Sequence, residues 1–566
     1  MSNLLDRASI LLTPTSVSQH RIHSVKPIQT FGSELITNGS YDADSNWQGS
    51  GGYPNNGWAI SNGVANFDTN DGTGNFSQSS VHTIGKQYVL DCDAEITSGR
   101  LKYEPPIGIN PNMNDQSVAE IFSGKNRIYY TAETTSAIFR RFNTPAVGFI
   151  DNVSIRETID GDFDFTRATT ATRVNSSGLI ESVASGLPRI DFLGGTGQIL
   201  LEPASTNTAT YSNDFSQGTN FNSGGRTLSD CVLSSSQGTA PDGTNTAQKL
   251  TDNNNSGTGA ISFNSFGAGL TSDTDSTVSM FVKKDTVRYF VIKFSNFDTN
   301  QETSFDLDTA TVNRGTGVMT DYGNGWYRCS ATFSTTTDLV GAIQFLITNS
   351  SSSTGGNLRD GSNSTFVWGY QAEETSFATS YIPTVASTVT RNKDEANSSG
   401  DTSLISSTEG VLYAEIAALT DDSIVRSIAL ASAGAITNTV EIIYNTTSQT
   451  IHFRIRANNS VIGSVAGLTV TDRTQFAKAA IKYKSGEIKA FINGVQVLSA
   501  TDSFTFSDAL AELDLDRGNE TKNFEGKVKC VAVFKEFLDN DELECLTGSG
   551  FDSFTALAEA GSYTII

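Results

Sequence analysis

The sequence predicts an all-β protein built from tandem antiparallel β-sandwiches. Three observations carry that expectation. Apolar residues alternate with polar ones at period two in many short runs, as at Tyr88, Leu90, Cys92, Ala94 and Ile96 against Val89, Asp91, Asp93 and Glu95, the signature of a strand with one wet face. Turn residues separate the runs: the chain has 50 Gly but only 11 Pro, with abundant Asn, Ser and Thr, a mixture suited to tight polar turns. The composition, 37% hydrophobic and 17% charged, is neither collagenous nor that of a disordered chain.

A chain of 566 residues exceeds what one core can organise, so roughly three or four domains are expected. Residues 1–33 hold two His and the apolar group Ile10-Leu11-Leu12 but are too short to close a core alone. They read as an arm that anchors the protein to a partner or, alternatively, as an arm lying on its own chain. Residues 34–157 read as one sandwich, with strands at Val64–Phe67, Tyr88–Ile96, Arg127–Thr131 and Gly148–Arg156. Residues 158–204 form a connector of short apolar groups, Phe163-Asp164-Phe165, Gly178-Leu179-Ile180 and Leu200-Leu201 among them. Those side chains are too many to leave wet, so the connector should pack on a neighbour.

Residues 205–392 read as a second sandwich, with strands at Thr277–Lys283, Arg288–Phe294, Thr303–Val312, Trp326–Phe333 and Ala342–Thr348. A linker, 393–401, leads to a third sandwich at 402–566. There Ile451, Phe453, Ile455 and Ala457 face one way, and His452, Arg454 and Arg456 the other. A Ser485-Gly486 turn and an Asn493-Gly494 turn join Ala479–Lys484, Glu487–Ile492 and Val495–Leu498; Asn-Gly between alternating runs is a strong hairpin signal. Leu538–Leu546 predicts one or two helical turns. A Thr-Arg element follows each of the first two sandwiches: Thr166-Arg167 and Thr172-Arg173 after one, Thr390-Arg391 after the other.

The formal net charge is -23. Nucleic acids and anionic membranes need basic surface, so neither is an expected partner. No run reaches the length of a membrane span. The first residues lack a basic segment ahead of an apolar one, which predicts synthesis in a host cytoplasm and release by another route, such as lysis. The five Cys, at 92, 231, 329, 530 and 545, are scattered without a CxxC pair and read as buried or half-buried free thiols.

Motifs for chemistry are sparse. The four His are His20, His23, His82 and His452, and no metalloprotease, nucleophile-elbow, Walker or dinucleotide fingerprint occurs. The chain reads as non-enzymatic. A glycosidase carboxylate pair stays open, because two acids at about 5 or 6.5–9.5 Å leave no trace in sequence. Binding candidates are aromatic, since sugar rings stack a C–H face on Trp or Tyr. Trp47, Tyr53 and Trp58 lie in and around the loop Gly49–Gly57. Tyr53 and Trp58 are the candidate carbohydrate-binding residues; Trp47, Trp326 and Trp368 read as core.

Several segments resemble known families. Ser33–Gly39 through Asp151–Ile155 resembles the galactose-binding-like jelly rolls, or carbohydrate-binding modules, of phage and bacterial surface proteins. Trp368–Glu373 to Ser380–Thr384 closes a second jelly roll in the same manner. Phe163–Asn175 followed by Leu200–Asn207 is similar to a connector of tail-fibre and virion proteins of bacteriophages. Gly410–Glu415, Lys482–Val497 and Phe524–Val528 resemble a laminin-G or concanavalin-like lectin sandwich. The resemblance implies a protein of the external virion surface: a tail fibre, spike or receptor-binding adhesin that touches host surface polysaccharide, works as a homotrimer and docks on other virion proteins through residues 1–33. It equally allows a capsid or tail decoration protein of purely structural role and, more remotely, a polysaccharide-degrading spike. Lectin-like sandwiches can hold Ca2+, and Asp502, Asp514, Asp516 and Asn519 are near in sequence. The default reading of those four is surface polar groups, and no metal ligand or cofactor is assigned.

Overall fold

Antiparallel strands dominate the structure, a computed structural model. It describes residues 4–548 except 28–29, 50–56, 69–74, 84–85, 105, 109–118, 133, 142–144, 216–225, 254–260, 267–274, 296–300, 335–341, 352–360, 447–449, 466–469, 471 and 520. The helices among these residues are short, Leu4–Arg7 and Asn540–Thr547. The chain separates into two units, Lys26–Asp160 and a larger one of Met1–Val25 with Gly161–Ile566.

In the smaller unit, Val147–Ile159 and Gln87–Ser98 pair at the centre of a seven-stranded sheet. A four-stranded sheet of Ala119–Ile121, Leu101–Glu104, Ala137–Arg141 and Phe76–Gln78 lies opposite. Leu90, Cys92 and Ile155 from one sheet meet Phe76, Leu101 and Phe139 from the other in a single core. Tyr88, Leu90, Cys92 and Ala94 are all buried, as the alternation predicts.

The larger unit begins its sandwich at 205–392 with two six-stranded sheets. Phe290, Ile292 and Phe345 pack against Met280, Val282, Cys329 and Ala331 between them. The strand expected at Thr303–Val312 is two strands, Gln301–Asp306 and Thr311–Arg314. Asp306 breaks it: its Oδ1 accepts the N–H groups of Asp308 and Thr309 at 2.9 and 3.4 Å, an Asx turn that competes with the ladder. Ala310 completes the reversal at φ 54°.

In the third sandwich, Ile451–Ala457 shows strict alternation of buried and half-buried residues. The predicted turns are present, with Gly486 at φ 88°, and Asn493 and Gly494 at φ 48° and 81°. The helix Asn540–Thr547 is closed by a capping box between Asp539 and Glu542 and buries Leu543 and Leu546 in the core with Phe491 and Ala480.

The N-terminal segment and the connector are integral to this sheet. Ala8–Ser18 pairs antiparallel with Gly526–Phe534, Ile10 opposite Val533 and Leu12 opposite Val531. Ile10, Leu11 and Leu12 are at most 5% exposed, worth roughly 1.5–3 kcal/mol of burial each. These residues of the N-terminal segment thus lie on their own chain. Gln198–Leu201 joins the other half of the same strand, Ile199 opposite Val528. Phe163–Thr166 enters the sheet between Arg21–Lys26 and Glu395–Asn397. The connector therefore packs on a neighbouring domain, as its apolar groups require.

Candidate functional site: a polar cleft above an ionic knot

Two of the three Thr-Arg elements reach one buried cluster. Arg167 Nη1 donates to Asp394 Oδ1 at 2.9 Å, and its Nη2 donates to the carbonyls of Ala184 and Leu187. Arg189 donates to Glu202 Oε2 at 2.7 Å and also pairs with Asp394. Arg391 lies 3.5 Å from Glu202 and donates to the Pro203 carbonyl. All five charged side chains are at most 3% exposed. Such groups are tolerable only when paired and fully hydrogen-bonded. Glu202 also accepts the Ser380 amide and hydroxyl at 2.7 and 2.6 Å, and Asp394 accepts the Glu202 amide at 2.9 Å. Burial alone would raise the Glu202 pKa; Arg391 and Arg189 more than reverse it and hold the carboxyl well below its ordinary range. The knot ties the connector to the end of the second sandwich and to the segment leading into the third.

Above the knot opens a cleft of about 520 Å³, within the usual range for a small-ligand site. The connector hairpin Ala171–Val174 with Ile180–Val183 supplies one wall, through Arg173, Val174 and Ile180. The second sandwich supplies another through Tyr322 and Arg328. Loops of the third supply Leu419–Asp421 and Thr474, with Lys527 from its central strand. Hydroxyls line much of the remainder, among them Thr320, Ser330, Thr332, Thr379 and Ser380.

Arg328 is buried beneath this surface. Its Nε and Nη2 donate to Ser279 Oγ at 3.2 and 3.0 Å, and Nη1 donates to the Thr379 carbonyl. The guanidinium lies 5.3 Å from the Phe281 ring centroid, a cation–π distance. Burial raises the Tyr322 phenol pKa, and Arg328 beside it offsets part of the rise. The acids of the cleft are committed elsewhere. Asp191 accepts the amides of Val174 and Leu193 and the Gln198 side chain, and Glu202 belongs to the knot. A general acid needs a raised pKa, and Glu202 is shifted the other way. The arrangement is suited to holding a polar ligand.

The aromatic candidates take different places. Tyr53 lies outside the described residues. Trp58 is a correction to the reading of it as a sugar platform: it is 1% exposed, and its ring stacks on Phe76 at 4.7 Å with Phe67 at 5.0 Å. A strand at the sheet edge needs a large side chain to close the sandwich end, and Trp58 fills that need. Trp47 stacks on the same Phe76. Trp326 and Trp368 are buried, their indole N–H groups donating to the Thr239 carbonyl and Thr246 Oγ1. All three are core residues, as the sequence reading has them.

The acids near 502–519 also need correction. Asp514 and Asp516 are buried rather than on the surface, and accept the amides of Ser398 and Gly518. Burial first, then Glu512 and Asp516, push the Asp514 carboxyl well above its usual range. Among the described residues no group of three or more His, Cys, Asp or Glu side chains is placed to hold a metal ion. Of the cleft's groups, Thr172-Arg173 was singled out from sequence as a Thr-Arg element, and none as a binding residue. The Thr-Arg elements were the available signal for Arg167 and Arg391. For Arg328 it was an arginine within a strand on the face shared by Trp326 and Ser330.

No protein-family model matches this chain, and no curated protein matches it. Among solved structures, the chain is similar to the carbohydrate-binding module CBM40 of the Ruminococcus gnavus IT-sialidase, bound to α2,3-sialyllactose. That match has 12% identity and a TM-score of 0.23, and covers 27% of this chain and 94% of that one. Domain 4 of AbnA, an extracellular arabinanase of Geobacillus stearothermophilus in complex with arabinotriose, matches at 14% identity and a TM-score of 0.23, covering 30% of this chain and 81% of that one. The receptor-binding domain of botulinum neurotoxin mosaic serotype C/D matches at 14% identity and a TM-score of 0.22, covering 27% and 39%. At this level of likeness nothing about ligand or activity transfers.

Proposed function

We propose that this chain is a non-enzymatic protein of a bacteriophage particle surface, a tail fibre or receptor-binding adhesin, that holds host glycan in the cleft above the knot. The observation that carries this reading is the lining of that cleft: hydroxyls and amphipathic Tyr322 around a concave polar surface where Asp191 and Glu202 are already hydrogen-bonded within the protein. Hydroxyl-rich surface suits a ligand made of hydroxyls, and a rigid floor lowers the entropy lost on binding. A purely structural decoration role would call for no such cleft. Weak single sites gain from multivalency, so the reading includes a homotrimer.

The test uses the full chain. Purified protein should adhere to host cells and to their extracted polysaccharide, with free polysaccharide competing. Thr320→Trp, which fills the cleft without removing a charge, should lose adhesion at an unchanged melting temperature. Adhesion by the Trp variant equal to that of the parent would remove the cleft from the proposal. A chain that joins particles yet adheres to neither target would favour decoration.

A further inference from the structure

Two cations of the cleft, Arg328 and Lys527, make no ion pair among the described residues. Arg173 pairs with Glu181 at 2.7 Å, so its charge is taken. Arg328 is 4% exposed, yet among the described residues no carboxylate lies within ion-pair distance of it; its partners are neutral, the Ser279 hydroxyl, the Thr379 carbonyl and the Tyr322 phenol. A guanidinium carries five N–H donors, and these contacts leave some unused. Lys527, half-buried in the strand Gly526–Phe534, borders the same cleft and makes no ion pair among the described residues. Asp421, the remaining acid of the lining, lies 3.7 Å from Arg473.

A buried charge without a counter-ion is costly. Elsewhere in this unit buried arginines are matched: Arg167 and Arg189 by Asp394, and Arg426 by Asp422. The chain as a whole carries -23, but charges beyond about 8 Å are largely screened at physiological ionic strength. Asp191, Glu202 and Asp421 line the same cleft, so an anion there depends on direct contact with Arg328 and Lys527. Arginine's planar fork fits a carboxylate with two parallel hydrogen bonds, and lysine adds a point charge.

Resting on the glycan reading above, we infer that the cleft recognises a carboxylate-bearing sugar, a uronic or a sialic acid residue, with Arg328 and Lys527 as its anion-binding pair. Among the hydroxyls of the lining, Ser330, Thr332, Thr379 and Ser380 donate within the protein and can only accept from the ring hydroxyls of the same residue. No covalent step is involved.

Calorimetric titration of the full chain with four probes tests this: trigalacturonic acid and its neutral counterpart galactotriose, and sialyllactose and its neutral counterpart lactose. One acidic probe should bind at least tenfold tighter than its neutral partner, and which one does so identifies the acid. Lys527→Met should weaken that probe at least fivefold, by a larger factor than it weakens the neutral sugar, at an unchanged melting temperature. Arg328→Lys, which keeps the charge and removes the fork, should weaken it at least tenfold. Equal affinity for acidic and neutral partners would overturn the inference while leaving the glycan reading intact. Acid preference that survives both substitutions would overturn the assignment to this cleft. Binding of none of the four probes also overturns it, and the adhesion assay then judges the glycan reading separately.

Discussion

Replacing Asp394 by Asn tests whether the knot holds the larger unit together. Asp394 pairs with both Arg167 and Arg189, and accepts the Glu202 amide. The cluster holds three arginines, 167, 189 and 391, and two carboxylates, 202 and 394, a net charge of one positive. The substitution would leave Glu202 alone against three guanidinium groups, all sealed from water. Breaking a buried pair by removing one partner costs about 3–5 kcal/mol. For a unit of roughly 430 residues, an unfolding entropy near 2.1 cal/mol/K per residue converts that to a fall of about 3–6 °C in melting temperature. Differential scanning calorimetry of the full chain should show the larger unit's transition shifted by that amount and the 26–160 transition unmoved. Removing the excess charge as well, in Asp394→Asn with Arg167→Met, should cost less than the sum of the single changes. A shift below about 1 °C, or strict additivity, would refute the view that these charges act as one paired cluster.

Other outcomes follow from single sites. His82, buried against the Tyr130 and Tyr103 hydroxyls, has its pKa lowered by burial from 6.5 to about 4. The folded state thus binds fewer protons, so stability is full above pH 6.5 and lost as pH falls toward 4, by up to about 3 kcal/mol; His82→Gln should flatten that slope in urea titrations of the 26–160 transition. The Asp514 carboxyl is raised, so the sign reverses: its contribution is complete below the ordinary carboxylate range and declines as pH rises through the folded value. Asp514→Asn should therefore be no less stable than the parent at pH 8, with a smaller stability difference between pH 4 and 8, measured by calorimetry. Trp58→Ala should destabilise the smaller unit by about 3–5 kcal/mol and leave sugar binding unchanged in the adhesion assay. Gly39→Ala places a Cβ 1.9 Å from the Val153 carbonyl oxygen and should lower the same transition, read by thermal melting.

The all-β class and strands in each of the three sandwiches were legible in the sequence, because a strand writes its two faces into alternate residues. Ile451–Ala457 and Gln87–Ser98 show it, and Asn493-Gly494 marks its turn through the positive φ both residues adopt. The sequence reading went astray where a side chain acts through a partner. Asp306 ends a strand by capturing amides two and three residues on. Trp58 has the composition of a sugar platform and the surroundings of a core residue; only the position of Phe76 decides between them. Asp514 reads as a surface acid until Ser398, 116 residues away, donates to it.

By itself, then, the sequence determined local periodicity, turn positions and the net negative charge, all properties of neighbouring residues or of sums over the chain. Tertiary structure decided that Ile10-Leu11-Leu12 pairs with Gly526–Phe534, a strand from the far end of the chain. It also decided that Arg167, Arg189 and Arg391 share two carboxylates, while Arg328 rests on a hydroxyl and a carbonyl. The physical reason is that ion pairing and cleft formation depend on distances of a few ångströms between residues far apart in sequence. A Thr-Arg dipeptide looks the same whether its guanidinium meets water, an aspartate or the wall of a cleft.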